Sequence, residues 1–444
     1  MTQSPPQMPR LAFLLSVPTL LKDRAAAVQA IATKYGDLVK VPVPGKPFYL
    51  ATHPDLARHV LQTNAKNYRK SFDFRIVKDM LGEGLITTHD ETWRHGRTSA
   101  APAFRNERTA AMLAKIVDVT RDPIEGWESE NWPTIRSLSA LTLRVFVEVV
   151  LDVEVRYNET RLLDAIGACL RHLDHRLAAV IDVDPYVNTP GKKSFYKSLA
   201  VIHEAVDDWI AQSREKGHRE FNLISLLDGA GPRPEDGTDR DVWLRDHLVT
   251  YLMAGHETVA VAMSWCLYLM TQYPELQKEL HGMVDEVVGS EKPTAAHFAK
   301  LEKVKAVIQE SMRLYPPVWS LGREAIQADT LGKYDIPAGA TVLVSPYVIQ
   351  RRADVWPDPE VFRPERFMGG AERDTYSYFP FSGGPRFCLG ERLGMMEMQI
   401  VFIQMLQRYE ITLAAPWEPK REPLISLRPK TEIPLRLKRR MKAP

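Results

Sequence analysis

Apolar residues recur at helical spacing through most of the chain, over 55–62, 107–127, 135–152, 160–181 and 192–214. The run 239–273 predicts one long helix that stops at Pro274. Helices over 274–288, 300–314 and 389–409 follow, the second closed by Pro316 and Pro317. Strand-like runs are short, at 38–43, 48–52, 323–326 and 341–344. The pattern predicts a mainly α fold with small β-sheets. An early apolar run over 11–21 is broken by Ser16 and Pro18. It is shorter than the roughly 20 residues of a membrane span and lacks a small-residue cleavage site. Residues 1–22 therefore read as a lead-in that packs on the body or touches a membrane surface, with packing preferred.

Composition narrows the function classes. The 444 residues are 45% apolar and 26% charged, with 58 Lys plus Arg against 56 Asp plus Glu, for a net charge of +2. That balance excludes nucleic-acid binding through bulk charge and excludes long disordered tails. Length alone would suggest about three domains. No Gly/Ser linker and no repeat divides the chain, so one large domain over 23–444 is expected. The 3 cysteines are scattered, without disulfide or zinc spacing, and fit a cytoplasmic setting.

One of those cysteines carries a pattern. In Phe381-Ser382-Gly383-Gly384-Pro385-Arg386-Phe387-Cys388-Leu389-Gly390, two glycines and a proline predict a rigid turn. Cys388 then opens the helical run 389–409, where amide N–H groups favour a thiolate. Arg386 can pair with a cofactor carboxylate, and Gly390 permits close approach of a planar group. Cys169 and Cys266, each within an apolar helix, read as buried structural residues.

The decapeptide resembles the haem-binding loop of the cytochrome P-450 family, the haem-thiolate monooxygenases. Phe381, Gly384, Arg386, Cys388 and Gly390 match its signature. The resemblance implies haem b as cofactor and Cys388 as the proximal iron ligand. Further matches occur in order. Glu310 and Arg313 resemble the family's Glu-x-x-Arg pair, and Arg366, in Phe362-Arg363-Pro364-Glu365-Arg366-Phe367, its third member, with a structural role. Within Ala254-Gly255-His256-Glu257-Thr258, a mid-helix glycine suggests close approach of a cofactor or ligand. Thr258 can bond back to the Ala254 carbonyl. The resemblance implies that Thr258 steadies the oxygen being activated, that Glu257 helps deliver protons, and that His256 faces away. Trp93, Arg97, Arg323 and Arg386 are the implied propionate ligands.

The activity implied is insertion of one atom of O2 into a C–H bond of a small lipophilic substrate: a carotenoid, terpenoid or fatty acid. No dinucleotide fingerprint or cysteine cluster supplies electrons, so a ferredoxin with its ferredoxin reductase is expected. Arg94, Arg105, Arg108 and Arg392 are the candidate docking patch. Loop position alone assigns the substrate pocket to Phe72, Phe74, Ile76, Met80, Leu85, Ile86, Val318, Trp319, Leu321 and Ile425. Two rivals are a haem-thiolate peroxygenase or isomerase and a non-catalytic haem-binding sensor. The Glu257–Thr258 pair argues against both.

Overall fold

Asp239 caps the first turn of the helix Arg240–Gln272, its carboxylate accepting from the Asp241 and Val242 amides. Pro274 then opens the next helix, Pro274–Val287, so the longest element ends where the sequence predicts. These elements come from a computed structural model that describes residues 3–71, 73–178, 184, 186–217, 219, 222–370 and 373–441. The chain forms two compact units.

The first unit comprises Met1–Phe74, Gln309–Cys388 and Lys420–Lys430. Its centre is a five-stranded sheet in the order Leu38–Val41, Phe48–Ala51, Thr341–Val344, Leu321–Ala325, Tyr68–Lys70. Phe48–Ala51 and Thr341–Val344 run parallel, with Leu50 opposite Leu343, while the other pairs are antiparallel. Leu321–Ala325 is buried along its whole length. The predicted lead-in forms a helix, Arg10–Lys22, and a second helix, Arg24–Tyr35, follows it unpredicted. Asp23 separates them by capping the second helix through the Ala26 amide. Its alanines blurred the apolar period that longer side chains make legible.

The second unit comprises Arg75–Ile308, Leu389–Pro419 and Thr431–Pro444. Arg240–Gln272 is its axis, buried on nearly every side. Packed in this unit are Asn106–Glu125, Thr134–Val145, Glu159–Ala178, Pro190–Glu215 and Glu391–Arg408. The expected helix 135–152 ends early. After Val145 the backbone widens over Phe146–Val150, and Leu151 donates to the Phe146 carbonyl five residues back. Crowded β-branched valines at 145, 147, 149 and 150 account for the loosened winding. A three-stranded antiparallel sheet, Ser129–Pro133, Pro434–Arg439 and Tyr409–Leu413, was not legible in the sequence.

Candidate active site

Cys388 lies in the first unit, exposed and in no disulfide. Its amide donates to the Phe381 carbonyl at 3.1 Å, and the Phe387 amide donates to Gly384 at 3.0 Å, closing the turn. Gly384 holds φ +64°, and a side chain there would lie 1.8 Å from the Leu61 carbonyl oxygen. That carbonyl belongs to a widened turn, His59–Thr63, where a helix over 55–62 was expected. The helix proper stops at Arg58. Gly383 is equally confined, 2.5 Å from the Tyr376 hydroxyl at its missing Cβ. Two glycines are therefore needed because backbone and a buried tyrosine occupy the space, which makes the turn rigid. By contrast, burial pushes the Cys169 thiol up to about 12 and raises that of Cys266, so both stay protonated.

The same unit gathers cations. Arg323 is buried, donating to its neighbour Gly322 at 2.9 Å. Lys70 is its cross-strand partner. Burial, then the guanidinium groups of Arg323 and Arg386, hold the Lys70 ammonium well below the ordinary lysine range. Burial brings Arg323 down to about 10. Among the described residues neither Lys70 nor Arg323 has an acidic partner; Lys70 instead sits 4.3 Å from the Phe74 ring centroid. Like charges directly opposite on paired strands are unfavourable. The adjoining pair shows the usual solution, Arg69 opposite Glu324 with a 3.1 Å hydrogen bond from Nε. Cations without acids, in the unit that bears the exposed thiol, fit haem b, whose carboxylates would neutralise them. Lys70 escaped the sequence reading because its place opposite Arg323 depends on strand register.

Glu310 and Arg313 meet as a fork, Arg313 Nε to Oε2 at 2.7 Å and Nη2 to Oε1 at 2.8 Å, both side chains fully buried. Arg366 completes the trio with Nε 3.4 Å from Glu310 Oε1. The sequence missed the wider net. The Arg363 amide donates to Glu310, and Arg313 Nη1 donates to the Gln350 and Pro359 carbonyls. Trp356 lies 5.2 Å from the Arg313 guanidinium carbon. This network fixes the meander that precedes the cysteine turn in sequence.

In the second unit, the long helix leaves one face open. Ala254 is exposed and Thr258 half-exposed in the middle of the helix, where most neighbours are buried. Thr258 Oγ1 donates to the Ala254 carbonyl at 2.7 Å. Glu257 is buried, and His256 turns inward, its Nδ1 2.7 Å from the Leu252 carbonyl. The missing Cβ of Gly255 would sit 3.2 Å from the Phe146 ring, so packing against that ring also favours a glycine here. His95 is engaged by the Gly231 carbonyl at 2.8 Å. Trp93 and Arg97 stack, guanidinium carbon to ring centroid 5.8 Å. Arg94 pairs with Glu91 and Arg392 donates to Asn106, both on the surface. Arg108 differs from the other docking candidates, because its Nε is buried without a hydrogen bond.

The assigned pocket residues divide by environment. Ile76, Leu85 and Ile86 are partly buried against the second unit's core, whereas Met80 lies inside it. Trp319 is a core residue of the first unit, donating from Nε1 to the Leu424 carbonyl at 2.8 Å. Leu321 is a core strand position with Val318 packed beside it, and Ile425 is exposed. Strand packing holds Leu321, the indole hydrogen bond holds Trp319 and helix packing holds Met80 in the protein interior. Phe74 faces Lys70, and Phe72 lies outside the described residues. Leu85 and Ile86 follow a clasp the sequence did not reveal. The Glu83 amide donates to Asp246 Oδ2 at 2.7 Å, and side chains at Gly82 or Gly84 would strike Asp246 or Thr250. Burial raises the Asp246 carboxyl to about 6.

The family model described as cytochrome P450 matches residues 3–435. Cyclooctat-9-en-7-ol 5-monooxygenase of Streptomyces melanosporofaciens is 31% identical over 385 residues, 85% of this chain and 83% of its own. Protein LUTEIN DEFICIENT 5, chloroplastic, of Arabidopsis thaliana is 30% identical over 413 residues, 86% and 68% of the two chains. Cyclooctatin synthase of Streptomyces melanosporofaciens is 29% identical over 423 residues, 90% and 87%. Among the described residues no helix is long and apolar enough to cross a membrane.

Proposed function

Because this chain belongs to the cytochrome P450 family, whose cofactor is haem b and whose activity is that of a monooxygenase, we propose that it hydroxylates a lipophilic terpenoid, carotenoid or fatty acid, with ferredoxin supplying the electrons. When bound, haem b supplies the iron that activates dioxygen, one atom entering a substrate C–H bond and the other leaving as water. Cys388 Sγ would ligate that iron as a thiolate. With haem bound, Lys70, Arg323 and Arg386 would hold its carboxylates, a role the family resemblance also gives to Trp93 and Arg97. Thr258 donates to Ala254 and keeps its lone pairs for an incoming proton donor. Glu257, buried beside it in sequence, resupplies protons. Arg94, Arg105 and Arg392 attract an acidic redox partner.

The observation that carries this reading is the cross-strand pair of cations Lys70 and Arg323, neither with an acid among the described residues, in the unit that exposes the Cys388 thiol. The substrate class is supported by a relative named as a monooxygenase of cyclooctat-9-en-7-ol. The reading is tested by a carbon-monoxide difference spectrum of the reduced, haem-loaded protein, where a strongly red-shifted Soret band requires the thiolate. A neutral-ligand spectrum would overturn the assignment of Cys388. Product formation from terpenoid, carotenoid and fatty-acid panels with ferredoxin and its reductase tests the rest. Turnover with peroxide alone would instead identify a peroxygenase.

A further inference from the structure

The helix Arg10–Lys22 has no buried residue, although most of its side chains are apolar. One side is accounted for: Ala12 and Phe13 pack against the buried cluster around Met8, Leu50 and Tyr347. The other side is bare. Leu11 is 70% exposed, Leu14 63%, Leu15 73% and Leu21 68%. At 3.6 residues per turn these positions share one face, with exposed Pro18 between them. Single exposed leucines are ordinary in soluble proteins, but four on one short helix form a continuous apolar strip.

Charge indicates what covers the strip. The helix carries only two ionisable side chains, Arg10 at its first position and Lys22 at its last, both exposed. It has no acid. Asp23, the next residue, is occupied by Arg421 at 2.9 Å and by the Ala26 amide. The surface is therefore a leucine strip with a cation at each end. A protein partner would need an apolar groove with an acid at both ends. A bilayer containing anionic lipid offers that pattern everywhere, with phosphates at headgroup level and acyl chains just beneath.

We propose that the Leu11–Leu14–Leu15–Leu21 face of this helix docks the protein on an anionic lipid surface, the helix lying in the interface plane with Arg10 and Lys22 at headgroup level. A helix of 13 residues cannot span the membrane, so the contact is reversible and confined to one leaflet. The inference is independent of the haem chemistry.

Flotation of the full-length protein with lipid vesicles tests it. Binding is expected to vesicles of phosphatidylcholine mixed with phosphatidylglycerol, weaker binding to phosphatidylcholine alone, and a decline with added salt. The triple variant Leu14→Ser/Leu15→Ser/Leu21→Ser should lose binding by about tenfold or more. Its thermal midpoint should not move, because the substituted side chains are exposed. The variant Arg10→Gln/Lys22→Gln should lose the preference for anionic vesicles. Failure to float with either vesicle, or equal flotation of the triple variant, overturns the proposal. So does light scattering that finds a dimer which the triple variant converts to monomer, since the strip would then be an interface between copies.

Discussion

Lys70 and Arg323 stand directly opposite each other on paired antiparallel strands, cation facing cation, with no acid on either among the described residues. A fold tolerates this arrangement when an anion is bound. In its absence the pair opposes folding. The depressed Lys70 fixes the sign: its protonated form is penalised in the folded state, so stability falls as pH drops through the ordinary lysine range. Lys70→Gln should therefore stabilise the haem-free protein near neutrality by about 0.2–1 kcal/mol and weaken haem retention. Thermal unfolding of the haem-free protein and haem transfer to a competing apoprotein would check the two effects. Equal destabilisation of haem-free and haem-loaded protein would contradict the anion-binding role.

The cysteine turn is equally specific. Gly384→Ala places a Cβ 1.8 Å from the Leu61 carbonyl oxygen at a positive φ. The left-handed backbone alone costs about 1–2 kcal/mol for a side chain, and the overlap adds to it. The fraction of protein giving the thiolate carbon-monoxide band should fall sharply. Cys388→Ser should abolish the band while leaving the secondary structure, read by circular dichroism, intact.

Glu310 and Arg313 are both fully buried, so removing either leaves the other charge stranded. Glu310→Ala is expected to cost about 3–5 kcal/mol. Arg313→Lys keeps the charge but loses the fork to Glu310 and the bonds to Gln350 and Pro359. Urea denaturation and soluble yield would show both variants impaired, with lysine failing to rescue.

Thr258→Ala deletes the hydroxyl bonded to Ala254 and exposed on the open helix face. Oxygen consumption should persist while product per O2 falls and hydrogen peroxide rises. Thr258→Ser should restore part of the coupling. Unchanged coupling in the alanine variant would remove Thr258 from proton delivery.

Asp246, raised to about 6 by burial, titrates in the folded protein above the ordinary aspartate value. Its contribution to stability is complete below pH 4 or so and is lost as pH rises through about 6. The Glu83 amide, then Arg245 and Lys78, offset part of that penalty, and the Glu83 carboxylate adds to it. Asp246→Asn should flatten the decline in thermal midpoint across this window. An unchanged slope would assign the decline to other groups.

The sequence by itself determined the residues whose meaning is local. The glycine–proline turn around Cys388, the span of Arg240–Gln272 between its Asp cap and Pro274, and the three-residue spacing of Glu310 and Arg313 all follow from near-neighbour geometry. Period and capping are properties of consecutive residues, so they survive reading without a fold. Tertiary structure decided what depends on partners far along the chain. Lys70 became a charge problem only through its register with Arg323, and Trp319 became core through the Leu424 carbonyl. Gly255 came to face the Phe146 ring. In the same way, the leucines of the first helix became a surface once Ala12 and Phe13 took the inner side. An apolar run states that water will be avoided; only packing determines which of its faces still meets water.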